Sequence, residues 1–94
     1  MTSVEIRRVE TNKKQYLALL LLADEQEDMI DRYLERGSMY VLEDDGVKAE
    51  CVVTDEGGGV LELKNIAVEP DFQGKGYGKA LVDFLIRTYA GQYM

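Results

Sequence analysis

The chain has no histidine, one cysteine (Cys51) and one proline (Pro70). A zinc site, or a nucleophile activated by histidine, therefore has too few of its usual parts. Cys51 cannot close an internal disulfide, which fits a reducing compartment. Long apolar runs are also missing. The longest, Leu17 to Ala23, is far too short to span a bilayer, so no membrane partner is expected. The N-terminal MTSVEIRRVE lacks a hydrophobic signal core, which points to the cytoplasm. Basic residues number 11 against 18 acidic ones, and a net charge of −7 argues against nucleic-acid binding.

What is present is the composition of one soluble domain, residues 1–94, with 46% hydrophobic and 31% charged residues. The negative charge is concentrated in residues 24–35, DEQEDMIDRYLE, where six acidic side chains face one arginine. Such a run is ordinarily a solvated helix face. As a functional feature it would be an acidic rim that attracts a cationic amine.

Taken in order, Val4 to Val9 alternates weakly and reads as a strand. Thr11 or Asn12 can cap a helix to about Leu22, with Tyr16, Leu19, Leu20 and Ala23 on one face. Asp24 with Glu27 three positions on resembles a capping box for a second helix to about Glu35. Met29, Ile30, Tyr33 and Leu34 form its buried stripe, and Gly37 stands where a C-terminal cap is expected. Ser38 to Leu42 is a strand, EDDG a hairpin turn and Val47 to Thr54 the antiparallel partner. DEGGG makes a looser turn into a strand from Val60 to Val68. The order is β-α-α-β-β-β-α, an α+β chain with a mixed sheet.

The most specific stretch is LELKNIAVEPDFQGKGYGKALVDFLIRTYA, from Leu61 to Ala90. A strand ends at Val68, glycines follow at Gly74, Gly76 and Gly78, and an amphipathic helix leaves from them to about Ala90. N–H groups point out of a first helical turn, where the dipole leaves partial positive charge, and glycines let a phosphate approach. Lys75 and Lys79 add cations, so the turn reads as a pyrophosphate cradle. A Walker loop would need glycine at 73 and Ser or Thr at 80, where this chain has Gln73 and Ala80. A dinucleotide fingerprint would need glycine at 79 or 81 and finds Lys79 and Leu81. A helix after a strand normally leads to a parallel neighbour, which leaves Val60–Val68 as an open edge. Either the chain is a fragment or another molecule supplies the missing part.

Gln73-Gly74-Lys75-Gly76-Tyr77-Gly78-Lys79-Ala80 resembles the Gln/Arg-x-x-Gly-x-Gly/Ala motif of the GNAT superfamily of N-acetyltransferases. NIAVEPDF resembles that family's lead-in strand, and the element order resembles the first two-thirds of its fold. The resemblance implies acetyl-CoA as co-substrate, with no metal. Its pyrophosphate would sit on the amides of Gln73, Gly74, Lys75, Gly76, Tyr77, Gly78 and Lys79. Its amide-bearing arm would pair with the strand edge at Ile66 and Val68, and a backbone N–H near Ile66 or Ala67 would face the thioester oxygen. Glu62 resembles the position of the glutamate base in histone-acetylating members, although an exposed strand carboxylate explains it as well. Asn65, Tyr40 and Cys51 could line the same cleft, Cys51 most simply as a small core residue.

The tyrosine acid that many members carry after a fifth strand has no counterpart, because Tyr89 and Tyr93 fall on or just after the helix. The implied function is acetyl transfer to a primary amine of a small molecule, peptide or protein, in a chain truncated after its third helix and of reduced activity. The alternative is a non-catalytic acyl-CoA-binding or interaction module, dimerising through the open strand edge.

Overall fold

The computed structural model describes residues 4–93. It contains β1 (Glu5–Val9), α1 (Leu17–Ala23), α2 (Glu27–Asp31), β2 (Ser38–Glu43), β3 (Val47–Gly57), β4 (Val60–Val68) and α3 (Tyr77–Thr88). Short 3₁₀ turns precede α1 (Lys13–Tyr16) and follow β4 (Pro70–Phe72). The strands form one antiparallel sheet in the order β1-β2-β3-β4.

Alternation along the strands divides the core between the two faces. Met39, Val41 and Val52 pack with Leu20, Ile30, Tyr33 and Leu34 under α1 and α2. Tyr40, Leu42, Ala49, Cys51 and Val53 pack with Leu81 and Leu85 of α3. With helices on both faces, the centres of β2 and β3 are buried on successive residues, and no solvent face remains there.

β4 carries a one-residue bulge. Val52 pairs with Asn65 and Val53 with Leu63, so Lys64 is an extra residue on β4. Leu61 and Leu63 before the bulge, and Ile66 and Val68 after it, all pack on the α3 side. Side-chain direction and peptide direction alternate together along a strand. The Leu61 N–H points away from β3, donating to the Tyr93 carbonyl at 2.6 Å. By the same parity the peptide groups of Ile66 and Val68 point to the open side, while those of Asn65 and Ala67 face β3.

After α3 the chain returns to that open side. Tyr93 donates to the Gly59 carbonyl at 2.9 Å and makes a parallel bridge with Val60. Among the described residues no strand pairs with β4 on this side from Glu62 to Val68.

Several local expectations are corrected. Asn12 does not cap through its side chain. It adopts φ 51°, ψ 47°, and its carbonyl accepts from the Gln15 N–H at 3.1 Å, opening the first helix as a 3₁₀ turn. Asp24 forms no capping box, because its own N–H still closes α1 on the Leu20 carbonyl. Its carboxylate accepts from the Gln26 N–H and the Tyr33 hydroxyl, and α2 starts from Gln26 and ends early at Asp31. Met29 is exposed, Ala23 is exposed, and Ile30, Tyr33 and Leu34 are buried.

Gly37 closes the following turn on the Tyr33 carbonyl at 2.9 Å. It is required for a different reason from a left-handed cap: a Cβ there would lie 2.7 Å from Val52 Cγ1. β3 extends to Gly57, so the turn into β4 is tighter than the looser one expected.

Candidate functional site

Where β4 ends, the chain makes a Pro70–Phe72 turn and swings through the glycines into α3. Gly74 and Gly76 have φ of 81° and 87°, conformations that side-chain-bearing residues rarely adopt. Nothing lies within 4 Å of where a Cβ would stand at either, so their outer surface is open. Gly78 is helical, and a Cβ there would only touch Val68 Cγ2 at 3.6 Å. Gly76 is the N-terminal cap of α3, has no side-chain cap bond, and its carbonyl accepts from the Ala80 N–H. The N–H groups of Tyr77, Gly78 and Lys79 are therefore unpaired within the helix. No acidic residue occupies the first turn.

A cavity of about 310 Å³ opens beside this turn, lined by Leu22, Ile66, Ala67, Val68, Gln73 and Gly78. Five of these were singled out in the sequence. Gln73 donates from its side chain to the Val68 carbonyl at 3.3 Å, which ties the turn to the strand edge. Leu22 was not foreseen. It completes the apolar run of α1 and is 49% exposed, because α1 already buries Leu19 and Leu20 on its other side.

The cations are arranged differently from the expected Lys75 and Lys79 pair. Lys79 is drawn one helical turn along to Asp83 at 2.7 Å. Lys75 Nζ lies 5.4 Å from the Phe72 ring centroid, and Lys48 Nζ, from the start of β3, lies 4.4 Å from the same centroid. Lys48 was missed because it is distant in sequence and sits in an ordinary alternating strand. The Tyr77 hydroxyl donates to Asp44, which fastens the start of α3 to the β2–β3 turn and raises the phenol pKa.

Glu62 is half-exposed, paired with Lys64 at 3.1 Å, and does not line the cavity. The burial that would tune it as a base is absent. Tyr40 and Cys51 face α3 rather than the cavity. Tyr40 shares a 2.7 Å hydroxyl contact with Tyr89, and burial raises its pKa. Burial pushes the Cys51 thiol up to about 12, consistent with a core residue. Tyr93 is 78% exposed. Asn65 is buried under α1, its amide donating to the Leu20 carbonyl and the Tyr33 hydroxyl at 3.0 Å each.

The buried carboxylate that the sequence did not reveal is Glu50, opposite Ala67 in the β3–β4 register. Desolvation pushes it up to about 8. Half of the acidic run is already engaged elsewhere: Lys14 bridges Glu27 and Asp31 at 2.7 and 2.6 Å, and Asp24 holds Tyr33.

An open strand edge followed by a glycine turn and a bare helix start makes a strand–turn–helix unit suited to an anion. Residues 35–94 match the family model for the acetyltransferase (GNAT) domain, and the chain belongs to that family. It is 43% identical over 74 residues to an uncharacterised N-acetyltransferase, YvbK, of Bacillus subtilis, covering 78% of this chain and 47% of that protein. An IAA acetyltransferase of Bacillus cereus superposes with a TM-score of 0.84 at 39% identity, over 95% of this chain and 59% of that one. A Bacillus subtilis acetyltransferase in complex with CoA gives 0.84 at 35% identity, over 93% and 58%. The chain thus spans about half the length of the curated relative it matches. Among the described residues, no helix is long and apolar enough to cross a membrane.

Proposed function

We propose that this chain forms the cofactor-binding part of an N-acetyltransferase that moves an acetyl group from acetyl-CoA to a primary amine. The observation that carries this reading is the coincidence of the cavity with the outward peptide groups of Ile66 and Val68 and the start of α3. The residues fit the ligand. The open surface over Gly74 and Gly76 leaves room for a phosphate against the Tyr77, Gly78 and Lys79 N–H groups. Lys75 and Lys48 supply the positive charge that Lys79 shares with Asp83. The co-substrate supplies an activated acetyl thioester.

Ile66 and Val68 offer a strand edge to the amide arm, as an added strand would be received. Ile66, rather than Ala67, is the donor suited to a carbonyl oxygen, because Ala67 directs its peptide toward β3. Ala67 contributes a small side chain to the cavity wall. Gln73 holds the Val68 carbonyl and so fixes the end of the edge. The residual acidity around Glu25 and Asp28 favours a cationic amine as acceptor.

The test is isothermal titration of CoA into the wild type and Gly76→Asp. The carboxylate would stand against the phosphate at a position with φ 87°. Binding is expected in the wild type and lost in the variant. Equal affinity in the two would remove the glycine turn as the phosphate site. A tight dimer with no CoA affinity would instead favour an interaction module joined through β4.

A further inference from the structure

Glu50 is fully buried in β3, and neither of its carboxylate oxygens has a hydrogen-bond partner. A third buried acceptor, Asn65 Oδ1, is also without a partner. Its orientation is fixed, because the Leu20 carbonyl can only accept and must face the amide nitrogen. Buried polar atoms are paired in nearly all folded proteins, so with Glu50 ionised three unpaired acceptors at neighbouring positions call for a common donor.

The location is equally informative. Glu50 and Ala67 are direct cross-strand partners, which places their Cβ atoms about 5 Å apart on the α1 side of the sheet. Ala67, Asn65 and Glu50 thus share one face. Ala67 and Leu22 of α1 together line the cavity. Ala67 is thus both a lining residue of the cavity and the cross-strand partner of Glu50. A primary ammonium carries three N–H donors and one positive charge, and so matches three acceptors of which two belong to one carboxylate.

We propose that Glu50 and Asn65 form the acceptor-amine site, reached past Ala67 and Leu22, in which Glu50 takes a proton from a primary ammonium. The inference rests on the acetyltransferase reading and names its base. In the step, one N–H bond breaks and one carboxyl O–H bond forms. The electron pair of the broken bond stays on nitrogen as the nucleophilic lone pair, and the charges of +1 and −1 both vanish. Asn65 Oδ1 accepts from a remaining N–H and orients that lone pair.

An amine of ordinary pKa near ~10.4 cannot readily protonate a carboxylate near ~4. At about 8, Glu50 comes within reach of such a transfer. The ionisable neighbours that feel its charge are the Tyr33 phenol and the Cys51 thiol, both of which its carboxylate helps to raise. Asp24 lies behind Tyr33. Lys13, the other buried charge among the described residues, is committed to the carbonyls of Leu34, Glu35 and Gly37. β2 contributes Val41 opposite Glu50, which is uncharged.

The experiment follows the Glu50 side-chain carboxyl by carbon-13 NMR through its titration, in methylammonium chloride and in tetramethylammonium chloride at equal ionic strength. The signal is assigned through its own side-chain couplings and checked by its loss in Glu50→Gln. The midpoint is expected to fall by about one pH unit, a tenfold preference for the ionised form, in methylammonium only. The same midpoint in both salts, or the same fall in both, would overturn the proposal. CoA titrated into the same sample reads the other site separately. CoA binding with no methylammonium response sinks the amine site alone. A methylammonium response with no CoA binding sinks the acetyltransferase reading and leaves the amine site standing.

Discussion

A carboxyl group held at about 8 in the folded chain and near 4.5 in the unfolded one binds its proton more tightly when folded. Glu50 therefore contributes stability that is fully present below about 4.5 and is lost as the pH rises to about 8. This is the reverse of the usual paired carboxylate. The thermal midpoint is expected to decline between pH 5 and pH 8, by an amount corresponding to roughly 3–5 kcal/mol. In Glu50→Gln, which cannot ionise, the decline should flatten, and the variant should be the more stable protein at pH 9. A wild-type midpoint independent of pH over that interval would show that Glu50 is not desolvated. The sequence pointed to Glu62 instead, and the reason is physical. In VKAECVVT, Lys48 and Glu50 alternate with Val47, Ala49 and Cys51 as on any half-exposed strand. Alternation identifies two faces but not which of them a helix covers, and here both are covered.

At the level of elements, the strand–turn–helix from Leu61 to Thr88 was legible because glycine and proline punctuation is local chemistry. The order of the remaining elements was legible for the same reason, through DDG and GGG turns between apolar runs. The first helical segments were not, because their ends are set by contacts distant in sequence. Lys13 donates to the carbonyls of Leu34, Glu35 and Gly37 at 2.9, 3.2 and 2.8 Å, and so stitches the opening of the first helix to the turn that follows the second. Nothing around KKQY distinguishes this buried lysine from exposed Lys14. Lys13→Met keeps the stem and removes the three donors, and should destabilise the fold by about 2–3 kcal/mol in urea unfolding. Lys14→Met removes a solvent-exposed bridge and should leave the urea midpoint nearly unchanged. Equal losses in the two variants would contradict the buried-staple role. The bulge at Lys64 was also invisible, since a single extra residue in LELKNIAV leaves no compositional mark. It nevertheless decides which peptide groups of β4 reach the cavity.

The whole molecule is a sheet between two helical layers, and the path of the chain through it has a kinetic consequence. β2, β3 and β4 are joined by short turns, whereas β1 must wait for two helical segments to be laid down before it can pair with β2. Local pairings close with less loss of chain entropy, so the three-strand meander is expected to lead and β1 to join late. Glu50 lies in the middle strand of that meander. With α1 expected to dock on that face of the meander before β1 joins, its carboxyl loses its water ahead of the rate-limiting barrier, and it crosses more readily with a proton attached. Raising the pH from 6 to 9 should slow refolding and leave the unfolding rate nearly unchanged in stopped-flow experiments, and Glu50→Gln should refold at one rate throughout. A pH effect confined to unfolding would place the burial of Glu50 after the barrier. If refolding is the sensitive limb, the proton that this carboxyl must shed before it can act on an amine is the same one that lets a new chain become a protein quickly.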